Sequence, residues 1–485
     1  MKAIHILENL SEIISVRGPK DIDIKSIAYD SRKVEKGSLF VAIRGFRLDG
    51  HDFIEDAIEK GAIAVIGEKE MDLPDGVLYA RVKNSRKALS EASSTFFGRP
   101  ADRLKIVGVT GTNGKTTTTY LIKAILDEAG FPTGVIGTVG IRIKDRFLPS
   151  ERTTPESLEL NRIFAEMSDE GVKYVSMEVS SHSLKLHRVD DVRFEVGVFT
   201  NLTQDHLDFH ESFDDYYSSK KKLFYLSRKA AINIDDPSGR RLCEELDIPI
   251  LTYAIEGKAD VKAEDVRIDS SGVTFNVCFD GERKKIVYRV PGKFSVYNSL
   301  AAITAGLFLG IDLDTMAKAL EKVRGVPGRF EPVDEGQDFT VIVDYAHTPD
   351  GLENVLNTIK SFAKGKVITV FGAGGDRDRS KRPLMGKVVS EYSDYFIITS
   401  DNPRSEDPEA IINDIEKGLD KNSKYEKIVD RRAAIKRAIE MASRGDVVLI
   451  AGKGHENYQI IKDKVFPFDD REVAREFLKE KGRMR

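Results

Sequence analysis

The clearest chemistry in this chain is a lysine and a threonine behind glycines at the start of a helix. In GVTGTNGKTTTTYLI, residues 108–122, Gly111, Thr112, Asn113, Gly114, Lys115, Thr116 and Thr117 join an apolar run at 104–110 to a helical stretch. Glycines there let backbone N–H groups turn inward, and a helix start favours anionic charge. Lys115 reaches terminal phosphates and Thr116 can ligate magnesium. The strict phosphate-loop spacing would put its first glycine at Val109; Gly108 stands one place early. A loop of this kind holds a nucleoside triphosphate. Where the γ-phosphate goes depends on what the other strand ends present.

Those ends are rich in candidates. MEVSSH ends an apolar run with Glu178, which in a sheet shared with a phosphate loop suits magnesium. FTNLTQDHLDFH supplies His206 and His210, and YYSSKKKLFYL sets Lys220, Lys221 and Lys222 on a helix, where two of the three read as a solvated face. Six of the eight histidines lie at or just after strand ends. SDNPRSEDP carries Asp401, Asn402, Pro403 and Arg404; Asn402 before proline is held extended, and the arginine's planar fork suits a carboxylate. GAGGDRDR offers Arg377, and GKGHE offers Glu456, able to hold an ammonium. Two arginines and an acid around one pocket suit an amino acid.

The elements that must position these residues fall into three stretches. Residues 1–98 read as a small mixed α/β domain: a leading helix, a strand at 39–43, and an amphipathic helix from Ile54 ending at Gly61. Residues 99–326 alternate strands (104–110, 175–179, 196–200) with helices, which means a parallel sheet; 230–290 turns to short strands, the period-two GVTFNVCF forming an antiparallel ribbon, before a helix from Asn298. Residues 327–485 hold four strands that each run into a polar or glycine-rich turn, a second site at strand ends.

At 485 residues the chain exceeds one core. A formal net charge of −4 argues against a nucleic-acid carrier, no run approaches the roughly 18–20 apolar residues of a membrane span, and the first residues lack a signal peptide's apolar core. Two cysteines, Cys243 and Cys278, read as incidental thiols of a cytoplasmic enzyme.

With these residues placed, the chain resembles the Mur ligase family over essentially its whole length: GVTGTNGKTTT, MEVSSH, TNLTQDHLDFH, GVPGRFE, VDYAHTPD, FGAGGDRDRSKRP, DNPR and AGKGHE recur in order. The resemblance implies an N-terminal domain for a uridine nucleotide, a central P-loop parallel-sheet ATPase with a small antiparallel region, and a C-terminal Rossmann-like domain for an incoming amino acid. It implies that Tyr29, Ser31, Phe46, Arg47 and Leu48 meet the uridine end, and that Thr153, Thr154, Ser180 and Arg188 hold a muramoyl-dipeptide. Asn298, Arg329 and Asp344 would join the loop around ATP. Lys220 aligns with a lysine carbamylated by carbon dioxide, giving a second magnesium an anionic oxygen beside Thr116, Glu178 and His206.

DNPR resembles the form in members that use meso-diaminopimelate. Arg377, Asn402 and Arg404 would take its distal carboxylate, and Glu456 with the Gly452 carbonyl its ammonium. The implied partner substrate is UDP-N-acetylmuramoyl-L-Ala-D-Glu, with a monomer acting in the cytoplasm, free of nucleic acid and membrane. Rival expectations are the same reaction with L-lysine, a folylpolyglutamate synthase, and a nucleotide-gated binding module. Thr116 and DNPR speak against the synthase; Glu178, His206 and Lys220 speak against the module.

Overall fold

The computed structural model describes residues 1–46, 48–150, 152–203, 209–269 and 271–483. Two of the residues singled out above, Arg47 and His206, lie outside the described residues. The chain divides into two compact units. The first comprises Met1–Thr110, Gly130–Gly197 and Ser218–Ala230; the second comprises Gly111–Ala129, Val198–Tyr217 and Ala231–Arg485.

In the first unit, five strands lie in the order Ile13–Arg17, Leu78–Val82, Ala62–Gly67, Ser38–Val41, Ser26–Ala28, parallel except for the outermost pair at Ile13–Arg17. Ala3, Ile6, Leu39, Val41, Leu89 and Ala92 form a core on one face. The helix Ile54–Glu59 stops before Gly61, whose φ of +106° suits a residue without Cβ. Beyond it, Lys105–Thr110, Tyr174–Glu178 and Thr133–Gly137 pair in parallel, and Gly140–Ile143 and Arg146–Leu148 extend the sheet antiparallel. All five residues of Tyr174–Glu178 are buried, as expected of a strand covered on both faces. The register sets Glu178 opposite Val109, so the acid stands at the sheet's carboxyl edge.

In the second unit the helix Lys115–Glu128 packs with Lys293–Phe308 and Leu313–Lys322. Lys293–Phe308 begins five residues before Asn298, because Gly292 (φ +109°) releases the chain into it. The antiparallel ribbon is present as Val261–Asp269, Gly272–Phe279 and Glu282–Tyr288. The expectation of strands alone over 230–290 fails at Pro237–Glu245, which is helical. Its signal was local: Asp236 caps Ser238 N at 2.8 Å and Pro237 fills the first turn.

A six-stranded sheet follows, ordered Glu331–Pro332, Thr340–Asp344, Val447–Ala451, Val367–Phe371, Tyr395–Ile398, Tyr425–Lys427. Asp344 pairs with Ala451 and Phe371 with Ile398, so the turns VDYAHTPD, AGKGHE, GAGGDRDR and SDNPR leave the same edge. Val343, Ile368, Val370, Ile435, Val448 and Ile450 form its core.

Candidate active site

The phosphate loop is built as its sequence suggests. Gly114 caps the helix Lys115–Glu128 at φ +84°, and a Cβ there would stand 2.4 Å from Asn298 Oδ1. Gly111 (φ +146°) sits against Thr200, whose Oγ1 would be 1.9 Å from an added Cβ. Both positions demand glycine. Lys115 Nζ donates to the carbonyls of Gly111 and Thr112, both at 2.8 Å, curling its ammonium over the loop. Asn201 and Thr200 fasten Asn113: its N–H donates to Asn201 Oδ1 at 2.9 Å and its carbonyl accepts from Thr200 Oγ1 at 2.7 Å. Asn298 Oδ1 accepts from Thr118 Oγ1 at 3.4 Å, and Thr117 is half-buried on the helix.

Two residues of the later turns, Arg329 and Asp350, reach this loop within the second unit. Arg329 Nη2 donates to Thr116 Oγ1 at 3.0 Å while its guanidinium lies 4.5 Å from the centre of the Tyr345 ring. Asp344 does not touch the loop; it accepts from Phe330 N (2.6 Å), the residue after Arg329, and from Ala346 N (2.7 Å). Burial raises the Asp344 carboxyl against the pull of Arg329. Asp350 was missed from the sequence. It accepts from Asn113 Nδ2 and, at 3.2 Å, from Thr203 Oγ1, and burial raises its carboxyl too. The quoted VDYAHTPD contained it, at the first turn of the helix Pro349–Phe362.

In the first unit Glu178 is 1% exposed. Its Oε1 accepts from Thr138 N at 2.8 Å and its Oε2 from Thr138 Oγ1 at 3.1 Å. Gly137 makes room, since a Cβ there would meet Oε1 at 2.4 Å. Thr138, also missed, stands 3.0 Å hydroxyl to hydroxyl from Thr153; its signal was the strand-ending GTVG. Thr154 Oγ1 donates to Glu178 O at 2.9 Å, and Ser180 N donates to Thr154 Oγ1 at 3.1 Å. Arg188 joins them, donating to Thr154 O at 3.0 Å and pairing with Glu156 at 2.9 Å. Burial lowers the Arg188 guanidinium, and Glu156 opposes that shift.

Lys220 is 2% exposed, whereas Lys222 is exposed and Lys221 lies 5.2 Å from the Tyr225 ring centre. His210 is buried beside Asp215, 3.2 Å away, and reads as structural. Tyr29 donates to Glu159 Oε1 at 3.0 Å, and burial raises its phenol. Ser31 is buried, while Phe46 and Leu48 are 77% and 69% exposed.

The amino-acid candidates gather in the second unit. Asn402 Oδ1 accepts from Lys453 Nζ (3.0 Å) and Ile460 N (2.9 Å), and its Nδ2 donates to Glu456 Oε2 at 2.9 Å. Asp401 Oδ1 accepts from Asn402 N at 2.6 Å; its Oδ2 is buried without a hydrogen-bond partner among the described residues and would lie 2.5 Å from a Cβ on Gly452. Arg404 has a left-handed backbone (φ +52°), held by Arg404 N to Ile460 O (3.1 Å) and Lys462 N to Arg404 O (2.7 Å). Its Nη1 donates to Gly375 O at 2.7 Å, one of five guanidinium donors. Gly375 N donates to Asn402 O at 2.9 Å, so Pro403 lies against the GAGG turn. Arg377 is exposed and bonds Asp376 O at 3.0 Å. An unpartnered buried carboxylate oxygen beside spare amide and guanidinium donors suits a zwitterion.

Among the described residues no three His, Cys, Asp or Glu cluster as a metal site, and no helix is long and apolar enough to cross a membrane. Three of the four donors proposed for magnesium (a threonine hydroxyl, a buried carboxylate and a carbamate oxygen) are hard oxygens, the type that ion takes, and the fourth, His206, is an imidazole nitrogen.

Family models match in chain order: Mur ligase family, catalytic domain over residues 23–97, Mur ligase middle domain over 109–306, and Mur ligase, glutamate ligase domain over 328–454. The chain belongs to the Mur ligase family. It is 51% identical to a UDP-N-acetylmuramoyl-L-alanyl-D-glutamate–2,6-diaminopimelate ligase of Clostridium tetani, covering 99% of this chain and 100% of that one. The enzyme of that name from Caldanaerobacter subterraneus subsp. tengcongensis is 49% identical, with 99% of each chain covered. A solved structure of a ligase of that name is 33% identical, with a TM-score of 0.70 and 99% of both chains covered. A MurF ligase from Thermotoga maritima solved with ADP, 20% identical at TM-score 0.64, shares the fold.

Proposed function

We propose that this chain is an ATP-dependent ligase that adds meso-diaminopimelate to the γ-carboxylate of D-Glu in UDP-N-acetylmuramoyl-L-Ala-D-Glu, a step of peptidoglycan precursor synthesis. Full-length relatives at about half identity support the reaction. The observation that carries the amino-acid assignment is the cluster of Asn402, Arg404, Asp401 and Glu456 on neighbouring turns. Residues 1–98, 99–326 and 327–485 then serve the uridine nucleotide, ATP and the amino acid in turn. The acting unit is a monomer in the cytoplasm.

An amide cannot form from a carboxylate at neutral pH while oxide must leave. The γ-carboxylate of the dipeptide therefore attacks the γ-phosphorus of ATP, expelling ADP and leaving an acyl phosphate. Lys115 and the loop N–H groups hold the phosphates in line, and Arg329 adds charge beside Thr116. Thr116, Glu178, His206 and carbamylated Lys220 would be the ligands for magnesium at two sites, and magnesium bound there would neutralise charge on the transferring phosphoryl group. An uncarbamylated Lys220 would repel the ion instead. Thr153, Thr154, Ser180 and Arg188 fix the muramoyl-dipeptide, and Tyr29, Ser31 and residues 46–48 its uridine end. The amine of diaminopimelate then attacks the acyl carbon, phosphate leaves, and the ammonium's proton passes to solvent.

At the far end of the amino acid, Arg404 and the second side-chain N–H of Asn402 take the carboxylate, with Arg377 near that turn. Asp401, Glu456 and the Gly452 carbonyl take the ammonium. L-Lysine lacks the carboxylate and leaves Arg404 unmatched, a cost of about 10–100-fold. The test is a panel of amino acids assayed for ATP-dependent phosphate release with the uridine dipeptide. Release requires both substrates, with diaminopimelate preferred. Release with neither, or lysine used equally well, refutes the assignment.

A further inference from the structure

Lys453 is 0% exposed, and no role falls to it in the reaction above. Its Nζ bonds Asn402 Oδ1 and Glu456 Oε2, both at 3.0 Å, and lies 5.5 Å from the Tyr458 ring centre. An ammonium only donates, so the atom of Asn402 that faces it has to be the oxygen. Ile460 N–H makes the same demand from the backbone, and Glu456 Oε2 demands a donor from the other end of the amide. The amide thus has one orientation, and its second Nδ2 hydrogen is used by none of these three partners. On Glu456, Oε2 receives both Nζ and Nδ2, and Oε1 bonds no donor among the described residues.

We infer that Lys453 is a positioning residue that, together with Ile460 N–H, fixes the polarity of Asn402 and, by occupying Oε2, the free oxygen of Glu456, and thereby makes the pocket select an amino acid whose distal end carries a carboxylate as well as an ammonium. The inference rests on the reading of Asn402 and Glu456 as amino-acid ligands. Were the amide to turn over, its oxygen would repel a distal carboxylate and welcome an ammonium, eroding discrimination against lysine.

The test uses the full chain with ATP and the uridine dipeptide, comparing kcat/KM for meso-diaminopimelate with that for L-lysine. Lys453→Gln removes the donor-only character, since a glutamine amide presents oxygen as readily as nitrogen, and Lys453→Met removes the donor. Each is expected to lower the diaminopimelate-to-lysine ratio by about tenfold, through the KM for diaminopimelate, with the KM for ATP unchanged. Lys453→Arg keeps a donor-only cation and is expected to hold the ratio within about threefold. Equal losses for both amino acids, or no variant that folds while Asn402→Ala does, make Lys453 a stability residue and overturn the inference. The site reading is checked separately: Asn402→Ala and Glu456→Ala should each raise the KM for diaminopimelate. If they do and the Lys453 variants leave the ratio alone, only the inference falls; if they do not, the site reading falls with it.

Discussion

Gly375→Ala isolates the amino-acid pocket from the rest of the machinery. A Cβ at this position would stand 1.9 Å from Pro403 O and 2.7 Å from Pro403 C, both backbone atoms that no rotamer change can move. Reaching even 3.0 Å, the limit below which such contacts essentially never occur, requires about 1.1 Å of separation between the GAGG and DNPR turns. That movement breaks or lengthens Gly375 N to Asn402 O (2.9 Å) and Arg404 Nη1 to Gly375 O (2.7 Å), the two bonds that register one turn on the other. A misplacement of about 1 Å costs on the order of a hundredfold when binding groups must act together. The expected result is a rise of that order in the KM for diaminopimelate, with KM values for ATP and the uridine dipeptide within about twofold. Steady-state kinetics with each substrate varied in turn, on protein whose circular dichroism matches the parent, makes the comparison. An unchanged diaminopimelate KM would refute the claim that this contact builds the pocket.

Three further outcomes follow from the geometry. Glu178→Gln keeps an acceptor for Thr138 N yet removes the anion, so activity should fall on the order of a hundredfold or more at saturating magnesium while thermal unfolding barely moves; a pure stability loss would contradict its role. Lys220→Ala should lose activity and recover part of it with added short carboxylates, which replace a carbamate oxygen but not an ammonium; rescue by alkylamines instead would show the unmodified lysine at work. Asp191 lies in a buried setting that pushes its carboxyl up to about 6 from 3.8, so its favourable contribution is present below pH about 4 and lost as pH rises through 6. Asp191→Asn should therefore match the parent near pH 4 and exceed it by about 2–3 kcal/mol at pH 7 in denaturant titrations; a difference that does not change with pH would refute this.

The parallel strands were legible because their apolar runs end abruptly in glycine or polar residues, and the register then carries each turn to one edge. The loop residues Lys115 and Thr116 were legible for the same reason. Less visible were side chains that act through others. Thr138 and Asp350 carry no signature alone; they matter because the register brings GTVG to Glu178 and because the Pro349–Phe362 helix starts against Asn113. Lys453 carries no signature of its own within AGKGHE, and only the packing of that turn against DNPR buries it. Arg404's left-handed backbone is likewise a product of its pairing with Ile461, beyond the reach of any local pattern. The helix Pro237–Glu245 was hidden by its short length inside a strand-rich stretch, although its capping aspartate and proline announced it.

The central claim is that the γ-phosphate passes to a substrate carboxylate before any amine attacks. It is tested most directly by enriching the D-glutamyl γ-carboxylate of the uridine dipeptide with heavy oxygen and following the label during turnover. Acyl phosphate chemistry transfers one labelled oxygen into the inorganic phosphate released, and hydroxylamine in place of the amino acid yields a hydroxamate. Unlabelled phosphate together with no hydroxamate would contradict the account.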